Sequence, residues 1–255
     1  MWKLPDDSSP AVLTARANID STHAPDAPST LPDTALLFFM SGTEHLQARP
    51  DCRLLMPKLP RFLLGTPVWQ LGDGPCFLDG GRGAPQAVDT LETIAAMGVK
   101  RVYCVGMCGA FVPELAPGDL VVPTAAFVEE GTSLHYHETI DEARPDPALH
   151  AQLLRIPGAR VLPIVTTDGV YRQTFRKEAL WRAKGAVGVD METSAMFSVS
   201  PLLGVQTAAV LMVSDCHPLR EDDPRWRWQM TREMRYRLMD EVLRIVLPET
   251  GSGPV

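Results

Sequence analysis

Short apolar runs, free of charge and separated by stretches of helical spacing, constrain the fold of this chain more than any other feature of it. ALLFFM at 35–40, closed by Ser41-Gly42, is a continuous run bounded by glycine, which fits a central strand covered on both faces. A strand near Cys76–Leu78 leads into GGRGAP at 80–85, where Pro85 suits the first turn of a helix. Val88, Leu91, Ile94, Ala95 and Met97 then recur at helical spacing up to a stop at Gly98. The strand KRVYCVG, the loop CGAFVPELAPGD and the strand LVVP at 120–123 follow. Helical segments near 146–155, 175–184 and 192–202 precede the strands RVLPIVTT, VGVDM and QTAAVLMVSD respectively. A long amphipathic segment runs from Trp226 to Leu247, with Met230, Met234, Leu238, Val242 and Ile245 along one side. Strands alternating with helices predict an α/β fold, a three-layer αβα sandwich around a central mixed, mainly parallel sheet.

A length of 255 residues suits one domain with an ordinary core. That domain is expected over 34–248. Residues 1–33, with Pro5, Pro10, Pro25, Pro28 and Pro32 among small polar residues, read as a flexible N-terminal extension, and 249–255 as a flexible tail. A net charge of −7 argues against nucleic acid or an anionic membrane as partner. Five scattered cysteines without a CxxC pair read as reduced thiols of a cytoplasmic protein, with neither a metal nor a disulfide framework. No apolar run approaches the roughly 20 residues of a membrane span, and the start lacks the basic and apolar regions of a signal peptide.

The chemistry concentrates in GVDMETSAMF at 188–197 and in the strand ending at Ser214-Asp215. Glu192 falls where a strand turns into a helix and Asp215 at the end of the next strand, so both are expected to face one crevice of the sheet. Glu192 suits gripping two vicinal hydroxyls of a sugar, with Met191 against the ring. Asp215 suits giving a proton to a leaving group, provided burial raises its pKa. The plainer reading of the two is an acid favoured in a first helical turn and an ordinary turn aspartate. Three glycine turns, MSGT at 40–43, VGMCGAF at 105–111 and GGRGAP with Arg82, can cradle an anion on backbone N–H groups, or can simply be tight turns. Tyr171 is placed to stack on a flat heterocycle and Arg176 to bond its edge. His45, His135 and His137 lack a metal-ligand context. GxSxG and a dinucleotide fingerprint are both missing.

Together these motifs resemble the nucleoside phosphorylase family, the group that includes uridine phosphorylase, bacterial purine nucleoside phosphorylase and the methylthioadenosine nucleosidases. The resemblance covers about residues 35–245, carried by 80–123, TSLHY, GVDMETSAMF and VLMVSD. It implies ribose binding by Met191 and Glu192, and base binding by Tyr171, Arg176, Ser214 and Asp215, with Asp215 protonating a purine. It implies a phosphate site at Gly42, Gly106, Met107 and Arg82, with Arg61 lent to a neighbouring subunit. It therefore implies a homo-oligomer with a dimer as unit, up to a trimer of dimers. No cofactor is implied, phosphate being the co-substrate.

The chain departs from the family where an arginine is usual, at Leu46 and Cys104, and where a Ser or Thr is usual, at Met107. Each loss removes a charge-assisted hydrogen bond to phosphate worth roughly 1.5–3 kcal/mol, although Arg49 and Arg53 lie nearby in sequence. The expected activity is cleavage of the N-glycosidic bond of a purine or pyrimidine nucleoside by phosphate, giving free base and ribose 1-phosphate. Hydrolysis, with Glu44 activating water, is the alternative, and a non-catalytic nucleoside-binding protein is the third reading.

Overall fold

The computed structural model describes residues 9–22 and 28–247. The 249–255 tail and parts of the N-terminal extension, 1–8 and 23–27, lie outside the described residues. The first half of the chain contains α1 (Ala15–Thr22), β1 (Thr34–Phe38), α2 (Glu44–Gln47), β2 (Cys52–Met56), β3 (Val68–Leu71), β4 (Cys76–Asp79), α3 (Ala84–Ala96), β5 (Arg101–Ala110) and β6 (Leu120–Glu129). The second half adds β7 (Glu142–Ala143), α4 (Pro147–Leu153), β8 (Arg160–Thr167), α5 (Phe175–Ala183), β9 (Gly188–Asp190), α6 (Thr193–Val199), β10 (Gln206–Cys216) and α7 (Arg232–Val246).

The strands form one mixed sheet in the order β10-β6-β8-β9-β5-β1-β4-β3-β2, and β10 also pairs with β5. The sheet thus closes into a ring of β10, β6, β8, β9 and β5, from which β1, β4, β3 and β2 extend as an open wing. The long ladders are parallel, above all β10 on β5 and β6 on β8, whereas β10–β6 and β5–β9 are short antiparallel pairings.

Alternate side chains of the apolar run 35–40 go to opposite layers, as a two-residue period demands. Ala35, Leu37 and Phe39 pack with α3 and α6 through Val88, Leu91, Ile94, Ala195 and Phe197. Leu36, Phe38 and Met40 pack with α4 and α7 through Leu149, Leu153, Leu238 and Val242. Burial on both faces explains why the run carries no polar residue.

Several elements differ from expectation. The glycines of VGMCGAF are not a turn: β5 continues to Ala110, with Gly106 opposite Leu211 and Gly109 opposite both Asp215 and Val189. Glycine serves there for close approach, since a Cβ on Gly106 would stand 3.1 Å from Leu211. β6 runs to Glu129, well past LVVP, and the wing strands β2 and β3 were not anticipated. In the N-terminal extension, α1 docks on the body of the protein. Its Ile19 is buried in the α3 layer, and Asn18 Nδ2 donates to the Pro60 carbonyl at 2.7 Å. The last helix starts at Arg232, capped by Thr231, and residues 226–231 are not helical.

Candidate active site

A cavity of about 750 Å³ opens where β5, β9 and β10 end, walled by the segment before α5 and by residues 217–228. Met191, Glu192, Ser214, Asp215, Tyr171 and Arg82 all line it, so the two chemical segments of the sequence meet in one hollow.

Glu192 holds the N-cap position of α6, but its side chain does not cap the helix. It reaches across to the glycine turn and accepts from the Gly83 amide at 2.6 Å. The capping is done by Asp190, which accepts from the Thr193 amide at 2.9 Å, from the Thr193 hydroxyl, and from Thr166 Oγ1 at 2.6 Å. Burial raises the pKa of both carboxyls, and the negative charge of Asp190 pushes Glu192 up further. Glu192 is therefore a buried acceptor that gains from hydroxyl donors or from positive charge placed beside it.

The end of the cavity at Asp215 runs opposite to the sequence expectation for that residue. Burial does raise its pKa, but hydrogen bonds from His217, Ser214 and Trp226 outweigh burial, and the net shift is downward. Ser214 Oγ donates to Asp215 Oδ1 and lies 3.1 Å from the Cys108 carbonyl. Trp226 Nε1 donates to Oδ2 at 2.5 Å, and His217 Nε2 stands 3.4 Å from the same oxygen. On its other side His217 Nδ1 meets Glu178 Oε1 at 2.7 Å. Burial alone would lower the His217 pKa, but its bonds to Asp215 and Glu178 carry it up to about 9. The end of the cavity thus holds the imidazole of His217 between two acidic side chains, with its pKa held above the ordinary value.

His217, Glu178, Trp226 and Trp228 went unread in the sequence. His217 had a usable signal: in an extended chain, residues two apart share a face, so His217 follows Asp215. The amphipathic spacing predicts a helix from Trp226, whereas both tryptophans lie before its start at Arg232.

The phosphate ligands expected from the family pattern do not gather in this cavity. Arg61 is buried within its own chain, donating to the Leu64 and Asp79 carbonyls and to Thr90 Oγ1 at 2.7, 2.8 and 2.7 Å. Gly42 packs on α7, a Cβ there meeting Met239 and Tyr236 at 3.4 and 3.5 Å, and Glu44 accepts from the Tyr236 hydroxyl at 3.0 Å. Neither Gly42, Glu44 nor Gly106 lines the cavity, and Met107 does so with a thioether. The glycine turn of 80–85 spends its amides internally, Gly81 on Asp79, Arg82 on Gln86 and Gly83 on Glu192. Arg82 itself pairs with Asp79 at 3.1 Å. Arg176, expected at the edge of the base, is exposed on α5 and does not line the cavity. Tyr171 does line it, although it is 96% exposed.

A model of the phosphorylase superfamily matches residues 62–244. Over 141 residues the chain is 30% identical to a guanosine phosphorylase of Halorubrum lacusprofundi, covering 52% of this chain and 57% of that protein. The match therefore spans little more than half the length of that relative. A purine nucleoside phosphorylase from Toxoplasma gondii superposes with a TM-score of 0.71 at 18% identity, covering 84% of this chain and 90% of that one. An AMP nucleosidase from Bacteroides thetaiotaomicron superposes with a TM-score of 0.62 at 22% identity, covering 84% and 89%. Likeness at such identity speaks for the fold alone.

Proposed function

This chain belongs to the phosphorylase superfamily, and from that premise we propose that it cleaves the N-glycosidic bond of a purine nucleoside and releases the free base. The observation that carries this reading is the meeting of Glu192 and Asp215 in one cavity. A carboxylate at Glu192 accepts hydrogen bonds from the 2′- and 3′-hydroxyls, with Met191 against the ribose. As the bond stretches, the sugar gains oxocarbenium character, and the buried Asp190–Glu192 pair, held against its preference for neutrality, is stabilised by that positive charge. Asp215, with Ser214, faces the base. The outward position of Arg176 favours purine over uracil.

The acceptor is phosphate on the strength of the guanosine phosphorylase relative, with Arg82 as the guanidinium at the cavity wall. Hydrolysis is the second reading, and a specific observation favours it. Among the lining residues described, Arg82 and His217 face Glu178, Asp190, Glu192 and Asp215, and both cations are already paired. With both of these cations engaged by carboxylates, and Asp190 and Glu192 pushed toward the neutral form by burial, these side chains offer a divalent anion little attraction.

One assay decides both points: adenosine, inosine, guanosine and uridine are each incubated with and without phosphate, and base and sugar products are followed. Purine release with ribose 1-phosphate supports the first reading, purine release indifferent to phosphate supports the second, and binding without release overturns the enzymatic reading. A homo-oligomer is part of the proposal, supported by the loop after Arg61, where Phe62, Leu63 and Leu64 are 66%, 43% and 79% exposed. A monomer by light scattering at micromolar concentration overturns that part.

A further inference from the structure

We infer that His217, clamped between Glu178 and Asp215 behind the base, is the residue that stores and supplies the proton on which the departing base leaves. The inference rests on the purine nucleoside reading. It changes where the proton comes from: Asp215 conducts it and is not its reservoir.

Geometry carries the assignment. Nδ1 of His217 is 2.7 Å from Glu178 Oε1 and Nε2 is 3.4 Å from Asp215 Oδ2, so the imidazole is hydrogen-bonded to Glu178 on one side and ion-paired with Asp215 on the other. The side chain is only 15% exposed and its Glu178 partner 7%, which limits exchange of that proton with bulk water. Gly109 makes the seat: a Cβ there would collide with the imidazole ring, so β5 admits the ring only because it carries glycine opposite Asp215. All three residues line the cavity.

The charged groups facing His217 come from two elements: β10 contributes Asp215, and α5 contributes Glu178 with Arg182 4.0 Å beyond it. The carboxylates outweigh burial and hold His217 protonated up to about pH 9.

The step balances. The glycosidic bond breaks with its electron pair going to the base, the Nε2 proton passes to Asp215 Oδ2, and Asp215 gives a proton to a purine ring nitrogen. His217 is left as neutral imidazole with its Nδ1–H on Glu178, and solvent restores the proton once the base has left. Trp226 must release Oδ2 for this path to open, and its ring is half exposed.

The test compares guanosine with 7-methylguanosine, whose base is already cationic and leaves as a neutral species without a proton. In His217→Gln, kcat on guanosine is expected to fall about 100-fold with KM changed less than about 3-fold, while kcat on 7-methylguanosine falls less than about 3-fold. In Glu178→Gln, the alkaline limb of kcat/KM is expected to move down by about one pH unit or more. Equal losses on both nucleosides, or an alkaline limb that Glu178→Gln leaves in place, overturn the inference. A wild-type protein inert toward both nucleosides overturns the functional reading beneath it instead.

Discussion

Asp190 and Glu192 stand two residues apart and are both buried, yet they do different work: one ties α6 to β8 through Thr166 and Thr193, the other holds the Gly83 amide from the far side of the hollow. Removing the charge of Glu192 relieves repulsion on Asp190 but, on the proposed function, weakens its hold on ribose hydroxyls. Glu192→Gln is expected to lower kcat/KM by about 10–100-fold, as loss of one charge-assisted bond implies, while leaving the melting temperature equal or higher. Steady-state kinetics beside a thermal melt checks both halves. His217 makes stability depend on pH. Its folded pKa of about 9 lies above the ordinary value of 6.5, so its contribution is complete below pH 6.5 and is lost as pH rises through about 9. Melting temperature should fall across that window, and His217→Gln should lessen the fall. A slope identical in both proteins would contradict the clamp. That Glu192 and Asp215 share one cavity was legible in the sequence, because each closes or opens an apolar element. The sign of the Asp215 shift was not legible, since it depends on Trp226, and on His217 held by a Glu178 39 residues away.

At the level of elements, what could be read was what repeats. β1, β8 and α3 follow from apolar runs and helical period, and their bounds came out nearly as expected. β2 and β3 escaped because they are short and β2 is half exposed, so they lack an apolar run. The end of β5 escaped because Gly106 and Gly109 look like turn residues, while in the fold they admit Leu211 and His217. The irregular segment 226–231 lays Trp226 on Asp215 where the amphipathic spacing predicts a helix. Binding of a purine base should displace that indole and change tryptophan emission, and Trp226→Phe should remove most of the change. An unaltered response in Trp226→Phe would show that the indole does not move. α1 is a further surprise of the same kind. Ile19→Ala is expected to lower unfolding free energy by about 2 kcal/mol, the low end for a buried aliphatic on a peripheral helix. Urea titration measures it, and a change near zero would return α1 to the status of a loose extension.

For the whole molecule, two apolar layers on either side of one sheet do the stabilising, and this much was legible from the alternation of strands and helices. Leu37, fully buried between β4, β5 and the α3 layer, is a representative position. Leu37→Ala is expected to cost about 2–5 kcal/mol, and a melt unchanged by it would contradict the layer assignment. Ring closure was not legible, because no local pattern states that β10 will pair with both β5 and β6. That closure has a consequence for solubility. An open sheet presents two unzipped rims to other chains, but here one end has been folded back on itself. Among the described residues, the rim left for recruiting a foreign strand is β2 together with the two-residue β7. Unwanted polymerisation of this protein would therefore be seeded at β2, and the exposed Arg53 beside Leu54 is the charge that guards it.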